Sequence, residues 1–174
     1  MNIYLFNFVF YTNKYMTKSA EDIIRDEWDL LRKSGLLHQL NCSAGPIKTN
    51  GIYNMFKWKA LMQAPNNSPY KGYAFKFEIE FPENYPNSPP KVFCKTNVYH
   101  MNISTSGSVC VSSVSSEWNN AQNINTVLKS IFVIFKVPNP LSPHRGEIAQ
   151  LYKTNMPEYE KNVRENCEKY AIKI

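Results

Sequence analysis

No two of the four cysteines, Cys42, Cys94, Cys110 and Cys167, stand at Cys-x-x-Cys spacing. That removes the usual sequence support for a zinc site. They lie far apart, and nothing marks a secretory context, so all four read as free thiols in a reducing compartment. No apolar run is long enough to span a bilayer. No run of several basic residues occurs either, although the net charge is +6 and the pI about 9.1. The lysines are spread along the chain, so the charge reads as a solvated basic surface and not as a nucleic-acid groove. An acidic protein partner stays open. Internal repeats are absent.

What is present fits one domain. The chain has 174 residues, 43% hydrophobic and 20% charged, which is ordinary for a soluble globular protein and enough to bury a core. Aromatics reach 14%, and the 11 prolines are clustered. Residues 1–16 form an N-terminal extension ahead of a single domain over 17–174. Three readings fit this opening: a weak signal peptide, a late start at Met16, or a short docking peptide anchored by Leu5, Phe6 and Phe8.

Ser19 with Asp22, and acidic Glu21 beside it, predicts a helix start. Ile24, Trp28 and Leu31 then share one helical face up to a stop at Gly35, giving a helix over about 19–34. "MFKWKALM" and "YAFKFEIEF" alternate apolar and polar residues, which predicts two strands with Phe75, Phe77, Ile79 and Phe81 on one face. "QAPNNSPYKG" between them is a turn signal. "KVFCKT" reads as a further strand with Cys94 in the core. "PENYPNSPP" has four prolines in nine residues and must be a rigid irregular loop. "INTVLKSIFVIF" is apolar nearly all round, which predicts a central helix over about 124–135. Helical patterns follow over about 145–154 and 157–170, the second with Pro157 as its first residue. The layout is α+β, with the strands consecutive in the chain.

The stretch from Tyr99 to Asn123 has no clear period and is long for a structureless loop, which marks it as functional or disordered. Trp118 argues for order. Inside it stands "VYHMNISTSGSVC". For a random cysteine, the plain reading of Cys110 is a small buried apolar residue, with His100 and Asn102 as loop polars. A cysteine protease would need an activating histidine, and His38, His100 and His144 are available. No protease signature accompanies them. Composition leaves the role of Cys110 open.

The ordered set "CSAGP", "SPYKGYAFKFEIEFPENYPNSPPKV", "VYHMNISTSGSVC", "EWNNA", "PNP" and "EIAQLYKTNMPEYEKNVRENCEKYA" resembles the ubiquitin-conjugating enzymes from about Ser19 to Ala171. The resemblance implies an N-terminal helix, a four-stranded antiparallel meander, an active-site loop, a central helix and C-terminal helices. It implies that Cys110 accepts the modifier's C-terminus as a thioester. Asn102 would stabilise the oxyanion or hold the active-site loop, and His100 would shape that loop without acting as a base. It implies no metal or organic cofactor. The implied partners are ubiquitin or a ubiquitin-like modifier, an activating enzyme, RING-type or HECT-type ligases and substrate proteins. No nucleic acid or membrane is expected, and the expected form is a monomer in the cytoplasm or nucleus.

Four departures from the family pattern stand out. Met101 replaces a proline, from which a looser turn before Asn102 is expected. Ser142 stands where many relatives carry an aspartate that orients or deprotonates the incoming lysine; serine offers a hydrogen bond but no charge. Asn87 and Asn120 occupy loops resembling the ligase-binding surface, where apolar anchors or proline are common. Asp22 and Asp26 lie near often-basic positions that meet the activating enzyme. Ubiquitin is the favoured modifier. The cullin-modifying ubiquitin-like protein is the nearest rival, on "PPKVFCKTNVYH" and the apolar "MNIYLF" opening. A binding variant without catalysis is the rival of a different class. Cys42 and Cys167 read as structural or incidental, His38 and His144 as surface residues, and Ser43 as an exposed strand serine.

Overall fold

Ser19 does what its spacing to Asp22 predicts. Its hydroxyl accepts from Asp22 N at 3.2 Å, and the Asp22 carboxylate accepts from Ser19 N at 3.3 Å, closing a reciprocal cap on helix α1, Ala20–Lys33. The Ser19 hydroxyl also holds the Asp22 carboxyl below its usual range. The computed structural model describes residues 18–109 and 118–174. The opening segment with its three readings lies outside the described residues, and so does Cys110. Ile24 and Leu31 are buried on α1, with Trp28 partly so. Gly35 ends the helix with φ 72° and leads at once into a short helix, α2, Leu36–Gln39, which periodicity does not announce.

Four strands follow in chain order and pair antiparallel with their neighbours: β1 Cys42–Thr49, β2 Ile52–Gln63, β3 Tyr73–Glu80 and β4 Lys91–Cys94. Asn50 and Gly51 close the β1–β2 hairpin with φ of 50° and 85°, the left-handed pair that a two-residue hairpin turn requires. The register slips between Pro46 and Ile47 on the edge strand β1, where a proline removes no needed bond. The slip lets Met55 and Trp58, three residues apart, both turn inward, and Trp58 Nε1 donates to Met55 O at 2.7 Å. Phe75, Phe77, Ile79 and Phe81 are all buried, as alternation predicts. The meander of four gains a fifth short strand, β5 Ile172–Lys173, paired with Tyr73 and Ala74 of β3.

The inner face of the sheet is covered by α3, Ile124–Lys136, whose Phe135 ring lies 4.7 Å from that of Phe75 and 6.1 Å from that of Phe77. Asn123 caps it, its Oδ1 accepting from Asn125 N at 3.0 Å and Thr126 N at 3.3 Å. This helix is not buried all round. Lys129, Val133 and Lys136 are exposed, because only one side meets the sheet. Helices α4, Gly146–Thr154, and α5, Met156–Tyr170, complete the fold. Asn155 caps α5 through Glu158 N at 3.2 Å, so Met156 is its first residue and Pro157 its second.

One half-buried carboxylate joins three parts of the chain. Glu27 of α1 accepts from the Tyr85 hydroxyl at 2.8 and 2.9 Å and from Ile124 N, at the start of α3, at 2.9 Å. Burial raises its pKa, while the Ile124 N–H and the Tyr85 hydroxyl pull it back down. The proline-rich loop over 81–90 is irregular as expected, with a cis bond at Tyr85–Pro86. It is clipped to the chain before α3. Trp118 Nε1 donates to Pro86 O at 2.7 Å, and Asn120 Nδ2 to Asn87 Oδ1 at 3.0 Å. Among the described residues no helix is long and apolar enough to cross a membrane.

Candidate active site

The segment before Cys110 is hung from β4. Cys94 N donates to Gly107 O at 2.8 Å and Val109 N to Val92 O at 2.9 Å, so the chain runs back along β4 and reaches Val109, the residue before Cys110. Its turn is tight. Gly107 N donates to Ser104 O, Ser104 N to Ser108 O and Ser108 N to Ser104 Oγ, each at 2.9 Å. Gly107 has φ 86°, and a Cβ there would stand 2.3 Å from Cys94 O, so only glycine lets the turn seat on β4.

His100 is fully buried between the rings of Tyr70, at 5.6 Å, and Phe135, at 5.2 Å. Both nitrogens are occupied. Nδ1 accepts from Asn102 N at 2.9 Å, which fixes the other proton on Nε2, and Nε2 donates to Ile134 O at 3.0 Å. Burial lowers its pKa to about 4; the bond to Ile134 works against that shift and the Arg145 guanidinium adds to it. The imidazole is therefore neutral, and its free lone pair is spent on the backbone of Asn102. That geometry suits shaping a loop and offers nothing to a reacting proton.

Asn102 is also fully buried, and its carboxamide is used at both ends. Nδ2 donates to Asn139 O at 2.8 Å and to Ser142 O at 3.2 Å, while Oδ1 accepts from Asn139 N at 2.8 Å. One side chain thus pins the loop between α3 and α4. The looser turn expected from Met101 is not what is built. The Met101 side chain is fully buried, and its carbonyl accepts from His144 N at 2.8 Å and Arg145 N at 3.0 Å. Packing and two backbone bonds replace the rigidity of a proline ring. Ser142 is exposed and meets the site through its carbonyl.

Three of the four candidate residues, His100, Asn102 and Ser142, are therefore linked by hydrogen bonds, and Cys110 follows eight residues after Asn102 in a part of the chain not described. The sequence reading missed two supports. Tyr70, inside a turn signal, is fully buried and donates to Tyr99 O at 2.8 Å beneath His100. Asn139, within "PNP", presents its backbone to Asn102 while its Oδ1 accepts from Leu141 N at 2.9 Å. An asparagine between two prolines signals such a turn. The remaining described thiols are poor nucleophiles. Cys42, Cys94 and Cys167 are each pushed up to about 12 by burial. Among the described residues no cluster of His, Cys, Asp and Glu is suited to a metal ion.

The family model described as ubiquitin-conjugating enzyme matches residues 25–167, most of the chain. The helix, the antiparallel sheet and the C-terminal helices agree with that match. The chain belongs to the ubiquitin-conjugating enzyme family.

Proposed function

We propose that this chain carries ubiquitin as a thioester on Cys110 and passes it to lysines of acceptor proteins with the help of a ligase. The observation that supports this most is the Asn102 brace, a buried carboxamide set over a neutral His100 and joined to the loop carrying Ser142. In the first step the Cys110 thiolate attacks the thioester carbonyl on the activating enzyme, whose own thiolate leaves. In the second a lysine amine attacks the Cys110 thioester, the amide forms, and the Cys110 thiolate leaves while the amine proton passes to solvent or to a ligase-bound base. The thiolate is a good leaving group, so no metal or cofactor is called for.

Asn102 holds the loop in the resting protein. Its longer bond, 3.2 Å to Ser142 O, is the one that would yield to a developing oxyanion. Loss of one such donor typically costs about 10²–10³ in rate. Ser142 supplies no charge to the incoming amine, so unassisted discharge to lysine is slow. On this reading the protein works in the cytoplasm or nucleus as a monomer, meeting an activating enzyme, RING-type or HECT-type ligases and substrates.

The test is a thioester assay. Purified protein is mixed with ATP, a ubiquitin-activating enzyme and ubiquitin, and in parallel with the cullin-type modifier and its activating enzyme. Non-reducing gels are run beside Cys110→Ala. A reductant-sensitive ubiquitin adduct lost in the variant is expected. An adduct with the second modifier alone moves the protein to that pathway, and no adduct with either overturns the carrier reading.

A further inference from the structure

A groove of about 450 Å³ opens between the first turn of α1 and the start of β2. Ile52, Tyr53, Met55 and Phe56 give it an apolar wall, and among the described residues Glu21 is the one charged side chain that lines it. The wall is formed before anything binds. Met55 is buried, and its carbonyl accepts from Trp58 Nε1 at 2.7 Å. Phe56 O accepts from Phe81 N at 2.8 Å, and the Tyr53 ring meets Trp28 in a T-shaped contact at 5.1 Å. Yet Ile52 is 76% exposed and Tyr53 42%, so a preformed apolar surface is left uncovered.

The chain itself supplies the cover. Residues 1–17 lie outside the described part and join α1 beside this groove. Thr17 stands four residues before Glu21, so the two Cα atoms are at most about 14 Å apart. Residues 3–11, "IYLFNFVFY", are apolar or aromatic at every position but Asn7. Residues 12–17 span up to about 20 Å when extended, enough to turn back to the groove. Lys14 is the only charged side chain among residues 1–17, and its sign is opposite to that of Glu21. A short tether holds the segment at an effective concentration of about millimolar, which favours it over a second copy present at far lower concentration.

We propose that residues 3–11 fold back onto their own chain and lay their apolar side chains over Ile52 and Tyr53, with Lys14 drawn toward Glu21. The docking-peptide reading of the opening segment then has its receptor in the same molecule. Glu21 already pairs with Arg25 at 2.7 Å, but both side chains are half exposed and such pairs are held weakly, so Lys14 joins at little cost. The contact stands apart from the carrier reading of Cys110 and does not depend on it.

Two measurements on the full chain test this. The first records nuclear Overhauser contacts from the Ile52 methyl groups of the isotope-labelled protein. Contacts to the rings of Phe6, Phe8 or Phe10 are expected, unchanged on dilution. A mixed sample of labelled and unlabelled chains separates contacts within one chain from contacts between copies. Contacts between copies alone overturn the proposal, and so does the absence of any contact with residues 3–11. The second follows trypsin cleavage after Lys14 by mass. Ile52→Glu sets a charge against the apolar segment. Leu5→Ser combined with Phe8→Ser removes anchors from the segment and leaves the described core untouched. Each should speed the cleavage at least about tenfold, the low end for uncovering a large apolar side chain. Val137→Glu, the same kind of change at an exposed residue beyond α3, should leave the rate alone. Cleavage no faster in Ile52→Glu and in the serine variant, or an equal rise in Val137→Glu, overturns the proposal.

Discussion

Acidification should weaken this fold through a single buried imidazole. His100 is neutral and enclosed, with its pKa lowered to about 4 against an ordinary 6.5. Above the ordinary value the folded and unfolded states are both neutral at this residue, and the site costs nothing. As pH falls below 6.5 the unfolded chain takes up a proton that the folded chain refuses, so stability drops until the folded pKa near 4 is reached. Between pH 7 and pH 5 the loss works out at about 2 kcal/mol. At a urea slope of about 2 kcal/mol/M this moves the midpoint by about 1 M. Glu27 acts in the opposite sense, since a raised carboxyl pKa makes folding less costly as pH falls. The comparison therefore needs His100→Gln, which shares every other titrating group. Urea midpoints of both proteins at pH 7 and pH 5 give the answer as a difference of differences. The wild-type protein should lose about 2 kcal/mol more than the variant. Equal losses, or an imidazole seen by NMR to titrate above pH 6 in the folded protein, would refute the reasoning.

Asn102→Ala leaves Asn139 N and two carbonyls of the same loop without their partner. It should cost about 2–3 kcal/mol and speed hydrogen exchange at residues 139–142, and unchanged exchange there would contradict the brace. Gly107→Ala drives a methyl into Cys94 O and should cost well over the roughly 1 kcal/mol of Gly51→Ala, which has a similar φ but open space; equal melting shifts would show that the contact does not matter. Glu27→Ala strips the Tyr85 hydroxyl and Ile124 N of their acceptor and should cost about 2 kcal/mol in chemical denaturation, with fraying at the start of α3 seen by exchange.

Regular alternation and capping made much of the fold legible. Ser19 with Asp22 and the Phe75–Phe81 alternation each point to what is built, because local chemistry and burial agree there. β1 was harder. "CSAGPIKT" does not alternate, since it is an edge strand broken by a bulge at Pro46, and only the family resemblance marks it as part of the sheet. Asn50-Gly51 is the hairpin signal that the sequence reading missed. α3 read as apolar all round because exposed Val133 is indistinguishable in sequence from its buried neighbours. At the site, His100 and Asn102 stood out as residue types in a motif. Their partners did not, since Ile134 O, Asn139 O and Ser142 O are backbone atoms brought from more than thirty residues away. Packing alone assigns those. Tyr70 failed for a related reason: it stands among the Asn, Ser, Pro and Gly of a turn with no period, and a buried ring there is set by the tertiary fold.

The brace built by Asn102 addresses its partner loop through main-chain groups alone. Any residue except proline at 139 satisfies it, so the exposed side chain at 142 is free to change while the architecture stays fixed. Ser142 in place of an acidic residue is then a change of chemistry without a change of frame. On the proposed function, chemistry at this rim can change one exposed side chain at a time while the main-chain bonds to Asn102 keep the loop in place.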